Sequence, residues 1–180
     1  VTESTRTFNF KPFKLEEHLE RLYKSFKLTR IDPQMTIEEM KKVSLELLEI
    51  NKDNYKANED CWLVHNISRG HSITGGNPAL QVSKPTVMIY TQPMNLVLWA
   101  PFYTKGCHAV TPPTRMVPSQ SLDARIKNRS RLFYTLAEIE AKLVDPDAQS
   151  VILDIHGNVA ENKGGNICLL YTSPSPRDCK

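Results

Sequence analysis

Two spacings of apolar residues organise this chain. In "LEEHLERLYKSFKL", Leu15, Leu19, Leu22, Tyr23 and Phe26 recur every three or four positions with charges between them. That spacing predicts an amphipathic helix. A second helix is predicted in "DPQMTIEEMKKVSLELLEI", where Thr36 and Glu39 form a capping box and Ile37, Met40, Val43, Leu47 and Ile50 share one face. Ahead of both, "TRTFNFKPF" alternates and then turns, which predicts a strand pair. From residue 61 the period shortens. The stretches "CWLVHNISRG", "PTVMIY", "NLVLWAPFY" and "CHAVTPPTRMV" are short, rich in β-branched and aromatic residues, and bounded by Gly, Pro and Asn. They read as strands.

The composition then changes again. "TPPTRMVPSQSLD" holds three prolines and few apolar residues, so a linker is expected at 112–121 between a first domain (1–111) and a second that starts at 122. Beyond it, "SRLFYTLAEIEAKL" predicts a helix with Leu132, Leu136, Ile139 and Leu143 facing inward. "QSVILDIHGNVAEN" predicts strand, tight turn at Gly157, strand. Helices and strands in separate runs make the expected fold class α+β. No internal repeat is present.

Overall composition mostly excludes. A net charge of +3, evenly spread, is too weak to imply a nucleic-acid partner. No run approaches the ~20 apolar residues of a membrane span, and the opening "VTESTRTFNF" is not a charged–apolar–small leader. The four cysteines (Cys61, Cys107, Cys168 and Cys179) form no CxxC pair and no metal-ligand spacing with the five histidines. A reduced, cytoplasmic setting without a metal is expected.

Three places carry candidate chemistry, and each has a plain reading alone. Arg21 on an amphipathic helix is usually a solvated side chain. Lys127, in a run with Arg125, Arg129 and Arg131, is usually part of a surface patch and less often a phosphate contact. Glu161 before a Gly-rich turn is usually a loop carboxylate. Their order changes the weighting. "RTFNFKPFKLEEHLERL", then "LDARIK", then a helix containing Glu140-Ala141, then "ILDIHGNVAENKGGNI" resembles the pattern of the class IV aminotransferases. These are the fold-type IV enzymes that use pyridoxal 5'-phosphate (PLP). The resemblance runs from about residue 3 to residue 167; the linker lysine and the closing motif are its specific parts.

The resemblance implies roles. Lys127 matches the lysine that carries PLP, an amine that attacks a carbonyl and later moves a proton at the substrate α-carbon. Glu161 matches the carboxylate facing the pyridine nitrogen. Arg21 matches the arginine on the cofactor phosphate, where a guanidinium fork suits the oxygens. Asn166 occupies the asparagine position after the Gly turn and is expected to shape the site. The implied substrates are an amino acid, branched-chain or similar, and a 2-oxo acid, and the implied assembly is a homodimer. A lyase on the same scaffold, similar to aminodeoxychorismate lyase, is the alternative, and a non-enzymatic nucleic-acid-binding module is a remote one.

Departures leave the substrate open. Leu132 stands where branched-chain enzymes usually have a tyrosine, the nearest being Tyr134. Thr74 and Gly76 follow Arg69-Gly70 where D-amino acid enzymes place an arginine and a histidine. After Ile167, "CLLYTSPSPRD" resembles the translation of a transposon-derived sequencing adapter. Residues 168–180 are therefore expected to be non-native, and the chain to be a fragment with an incomplete second domain and an inactive site.

Overall fold

The computed structural model describes residues 1–56, 59–71, 76–77, 79–80 and 83–168. The chain divides into two compact units: Val1–Trp99 with Ala124–Ser130, and Ala100–Asp123 with Arg131–Lys180. Most of the 168–180 tail lies outside the described residues.

The first unit is a sheet backed by two helices. Its strands are β1 (Thr2–Phe8), β2 (Lys11–Pro12), β3 (Cys61–Ser68) and β4 (Thr86–Pro93), in the order β2-β1-β3-β4 with every pairing antiparallel. The expected strand pair at 5–13 is present. Phe8 opposes Lys11, so the loop is Asn9-Phe10, both with positive φ (49° and 62°). That is the conformation a two-residue type I′ hairpin demands. Phe10 is an unusual residue for it, and Asp60 holds it there: its Oδ1 accepts from the Phe10 N–H at 3.1 Å and from the Thr7 hydroxyl at 2.8 Å.

Helix α1 (Leu15–Thr29) buries Leu15, Leu19, Leu22 and Phe26 as the spacing predicts, together with Ser25. Helix α2 (Ile37–Asn51) starts at the expected capping box, Thr36 and Glu39 bonding each other's backbone N–H groups. Its inward face differs from the expected one. Met40, Ser44 and Leu48 are buried, whereas Ile50 is 78% exposed. The rotation has a physical cause: Ser44 faces the sheet because its hydroxyl meets His65 on β3 at 2.8 Å.

The second unit holds a small sheet, order β5-β6-β7, from β5 (Ala109–Val110), β6 (Gln149–Leu153) and β7 (Val159–Asn162). β5 runs parallel to β6, and β6 antiparallel to β7. The expected turn at Gly157 joins the last two, with φ +88° at the glycine. Asp154 fixes that turn by accepting from the backbone N–H groups of His156 and Asn158 at 2.8 and 2.9 Å. Residues 112–116 are tied to their surroundings. Thr114 donates its N–H and hydroxyl to the Glu140 carboxylate at 2.9 and 2.8 Å, and Met116 N–H bonds Leu153 O at 2.9 Å.

Two further expectations fail. Residues 95–103 are not a strand. Leu96–Leu98 is a single 3₁₀ turn and Phe102–Lys105 a short helix, α3. Pro101 sits at the N-cap of α3 with φ −60°, a position that needs no N–H, and Gly106 closes it at φ +65°. Helix α4 (Leu132–Val144) turns the other way from its leucine stripe. It buries Tyr134, Ala137 and Ala141 and leaves Leu132 and Leu143 68% and 82% exposed. Two alanines let the helix backbone approach β6 closely, where Ile152 is fully buried with Tyr134 and Ala137; a leucine face would hold it away.

Candidate functional site

In the first unit the candidate residues rest on β1 and α1. The peptide of Lys127 is held on both sides. Its carbonyl accepts from Thr2 N–H at 2.9 Å, and its N–H donates to Ser25 Oγ at 3.2 Å. Ser25 Oγ in turn donates to Arg21 O, one helical turn earlier, at 3.1 Å. The half-buried lysine is thus fixed, through one hydroxyl, to the turn of helix that carries Arg21.

Arg21 itself meets a carboxylate that sequence reasoning passed over. Glu3 is fully buried on β1. Arg21 Nε and Nη2 donate to its two oxygens, both at 2.7 Å. His18 Nδ1 lies 3.1 Å from Oε1, and Ser4 N–H donates to the same oxygen at 2.9 Å. Burial pushes the Glu3 carboxyl up, but the bonds from His18, Arg21 and Ser4 outweigh it and hold the group down at about 2. Glu3 is therefore an anion, able only to accept, so the His18 Nδ1 atom must carry the proton it shares with Glu3. The Arg21 guanidinium is held charged by the same carboxylate.

Glu3 is the direct cross-strand neighbour of His65 on β3, and His65 is fully buried. Ser44 spends its single hydroxyl proton on Met40 O at 2.7 Å. It must then accept from His65 Nε2–H, which leaves Nδ1 unprotonated and without a partner. Burial keeps this imidazole neutral, with its pKa lowered to about 4. Glu3, Ser25, Ser44 and His65 make a polar seam inside the helix-facing side of the sheet. One signal for it was legible: the inward alternation of β1 reads Glu3, Thr5, Thr7, a charged residue where a core residue belongs.

The second unit holds Glu161 and Asn166. Glu161 is half-buried on β7 and accepts a hydrogen bond from the hydroxyl of Tyr134 on α4. Burial and that carboxylate both push the Tyr134 phenol up. Arg131 lies over the Tyr134 ring at 4.9 Å and donates to Lys163 O at 3.1 Å. Tyr134 was the nearest tyrosine to the substituted Leu132 position, and here it serves Glu161. Asn166 is exposed after the Gly turn. In the Arg69-Gly70 turn, a Cβ on Gly70 would stand 2.0 Å from Lys84 O, and φ is +86°, so only glycine fits. Thr74, just beyond, lies outside the described residues. Among the described residues no three His, Cys, Asp or Glu side chains cluster to hold a metal ion, and no helix is long and apolar enough to cross a membrane.

The family model for class IV amino-transferases matches residues 1–173. The chain belongs to the class IV aminotransferase family. A putative branched-chain-amino-acid aminotransferase of Methanocaldococcus jannaschii is 33% identical over 170 residues, 94% of this chain and 55% of that protein. Branched-chain-amino-acid aminotransferase-like protein 1 of Arabidopsis thaliana is 30% identical over 94% of this chain and 29% of its own length. The chain thus spans about half, or less, of the curated relatives it matches. Among solved structures, the branched-chain aminotransferase of Escherichia coli superposes with a TM-score of 0.74 at 22% identity, covering 91% of this chain and 53% of that one. The PLP form of the Thermobaculum terrenum enzyme gives 0.73 at 22%, covering 91% and 52%. At that identity the likeness shows a shared fold: the α+β architecture of this class IV chain is that of fold-type IV.

Proposed function

We propose that this chain provides the cofactor lysine, the phosphate-binding arginine and the ring-facing carboxylate of a PLP-dependent transaminase. It would move an amino group between an amino acid, branched-chain or similar, and a 2-oxo acid. The observation that carries this reading is the tethering of the Lys127 peptide to the Arg21 turn through Ser25. An amine and a guanidinium on one rigid support suit a ligand with a carbonyl at one end and a phosphate at the other.

The donor set fits PLP. Arg21 is half-exposed, and its bonds to Glu3 use Nε and Nη2, leaving the two N–H groups of Nη1 for phosphate oxygens. Glu161 offers a carboxylate for the proton on the pyridine nitrogen, and the Tyr134 hydroxyl restrains it. When bound, PLP supplies an electron-withdrawing ring that stabilises negative charge at the substrate α-carbon. Lys127 would take the proton from the substrate α-carbon and return it on the far side of the amino nitrogen. Arg21 orients the ligand, and Glu161 keeps the ring nitrogen protonated.

The test is an assay of the intact gene product with PLP, 2-oxo acids and a panel of L- and D-amino acids. Amino transfer that Lys127→Ala abolishes supports the reading. Pyruvate release from aminodeoxychorismate without transfer would instead make the protein a lyase on the same scaffold.

A further inference from the structure

Buried carboxylates are expensive, and Glu3 is completely buried. Taking a carboxylate from water costs several kcal/mol before its partners repay it. Holding β1 to α1 does not require one, because Leu15, Leu19 and Leu22 already form the apolar layer that joins this helix to the sheet. What Glu3 does that leucine could not is fix the plane of a guanidinium.

The geometry is side-on. Nε and Nη2 both point at Glu3, at 2.7 Å each, so the edge carrying Nη1 points away from it. Glu3 is 0% exposed while the Arg21 side chain is 51% exposed. The pair is thus asymmetric: its negative member is sealed inside the sheet and its positive member opens outward. His18, 25% exposed, donates its Nδ1 proton to the same carboxylate. The contact of 3.4 Å between Arg21 Nη2 and His18 Nδ1 is therefore a meeting of two donors around one acceptor. One buried anion orients two cation-capable side chains on a single turn of α1, next to the Ser25 tether of Lys127.

We propose that Glu3 is the positioning residue for the ligand phosphate, acting through Arg21. It holds the guanidinium edge-on so that Nη1 faces the anion, and it touches no reacting atom. The inference rests on the reading of Arg21 as the phosphate contact, and it adds a residue that reading does not contain.

The experiment compares PLP with pyridoxal, which lacks only the phosphate. In the intact gene product, dissociation constants for both are measured by absorbance titration, and the pyridoxal-to-PLP ratio isolates the phosphate contact from everything else. Glu3→Gln keeps the shape and removes the charge. It is expected to lower that ratio by roughly tenfold while leaving pyridoxal affinity unchanged. A merely structural Glu3 would weaken both ligands alike, or neither, and either result in a folded variant overturns the proposal. Arg21→Lys keeps the charge but loses the fork, and should lower the ratio at least as far. If Arg21→Lys leaves the ratio intact, the phosphate reading of Arg21 itself fails, and the role of Glu3 with it. Circular dichroism checks folding at the assay temperature. Should Glu3→Gln unfold, Glu3→Asp decides: withdrawing the carboxylate by one methylene should lower the ratio severalfold, and no change overturns the proposal.

Discussion

The two units cover a sheet with helix in opposite ways. In the first, α1 brings large side chains inward, and Leu19 and Leu22 are fully buried with Leu63 of β3. Into that apolar layer the fold sets Glu3, Ser25, Ser44 and His65, all fully buried. In the second, α4 brings Ala137 and Ala141 inward and turns Leu132, Leu136, Ile139 and Leu143 toward solvent. Large residues and a buried polar seam make one interface; small residues and close backbone approach make the other. An inward face is chosen by what lets two elements meet, and hydrophobicity alone does not identify it.

The sharpest way to break this contrast is paired truncation. Leu22→Ala should destabilise the first unit by about 2–5 kcal/mol, as fully buried leucines do. Leu143→Ala, at the same residue type on α4, should stay within about 0.5 kcal/mol. Urea unfolding followed by hydrogen exchange reads both, and equal effects would erase the distinction between the units.

Acid comes next, because the first unit buries a carboxylate and an imidazole against its sheet. His65 is held neutral with its pKa lowered to about 4 from an ordinary 6.5. Its contribution is complete above about 6.5 and is lost as pH falls toward 4. Glu3, held down at about 2, contributes fully above the ordinary carboxylate value of about 4.5 and loses that contribution as pH falls toward 2. Each is expected to remove roughly 1–3 kcal/mol of stability. Unfolding midpoints measured from pH 7 to pH 2 should fall in two steps. His65→Gln should flatten the upper step and Glu3→Gln the lower.

Overpacking should act in the reverse sense. Ala141→Leu is expected to cost about 1–3 kcal/mol, because the α4–sheet gap is set by alanine. The smallest expected effect is local to α2. Thr36→Ala removes one half of the capping box and should cost about 1 kcal/mol, read by the same unfolding curve.

What was legible in the sequence was local. Helix α1, the Thr36–Glu39 cap and the Gly157 turn each follow from residues a few positions apart, whose physics needs no partner from elsewhere in the chain. Beyond the charge at Glu3 in the inward alternation of β1, the polar seam was not legible, because burial of Glu3 depends on Arg21 and His18 arriving from a helix, and that of His65 on Ser44 from another. Periodicity counts such residues as solvent-facing. The α4 face was misread for the complementary reason: Ala137 and Ala141 weigh little in an apolar pattern, yet small size is what the contact uses. At 95–103, aromatic and β-branched content favoured a strand, but Pro101 and Gly106 bracket a helical turn. The candidate residues Arg21, Lys127 and Glu161 were named by their order in a family pattern; that Glu3 holds Arg21 and Tyr134 holds Glu161 came only from the fold.

The assignment of Lys127 as the cofactor lysine can be tested without any substrate. The intact gene product is mixed with PLP, reduced with borohydride, digested and mapped by mass spectrometry. A pyridoxyl group is expected on the peptide containing Lys127, at that residue, and none there in Lys127→Ala. A pyridoxyl group on another lysine, or an unmodified Lys127 in folded protein saturated with PLP, would contradict it.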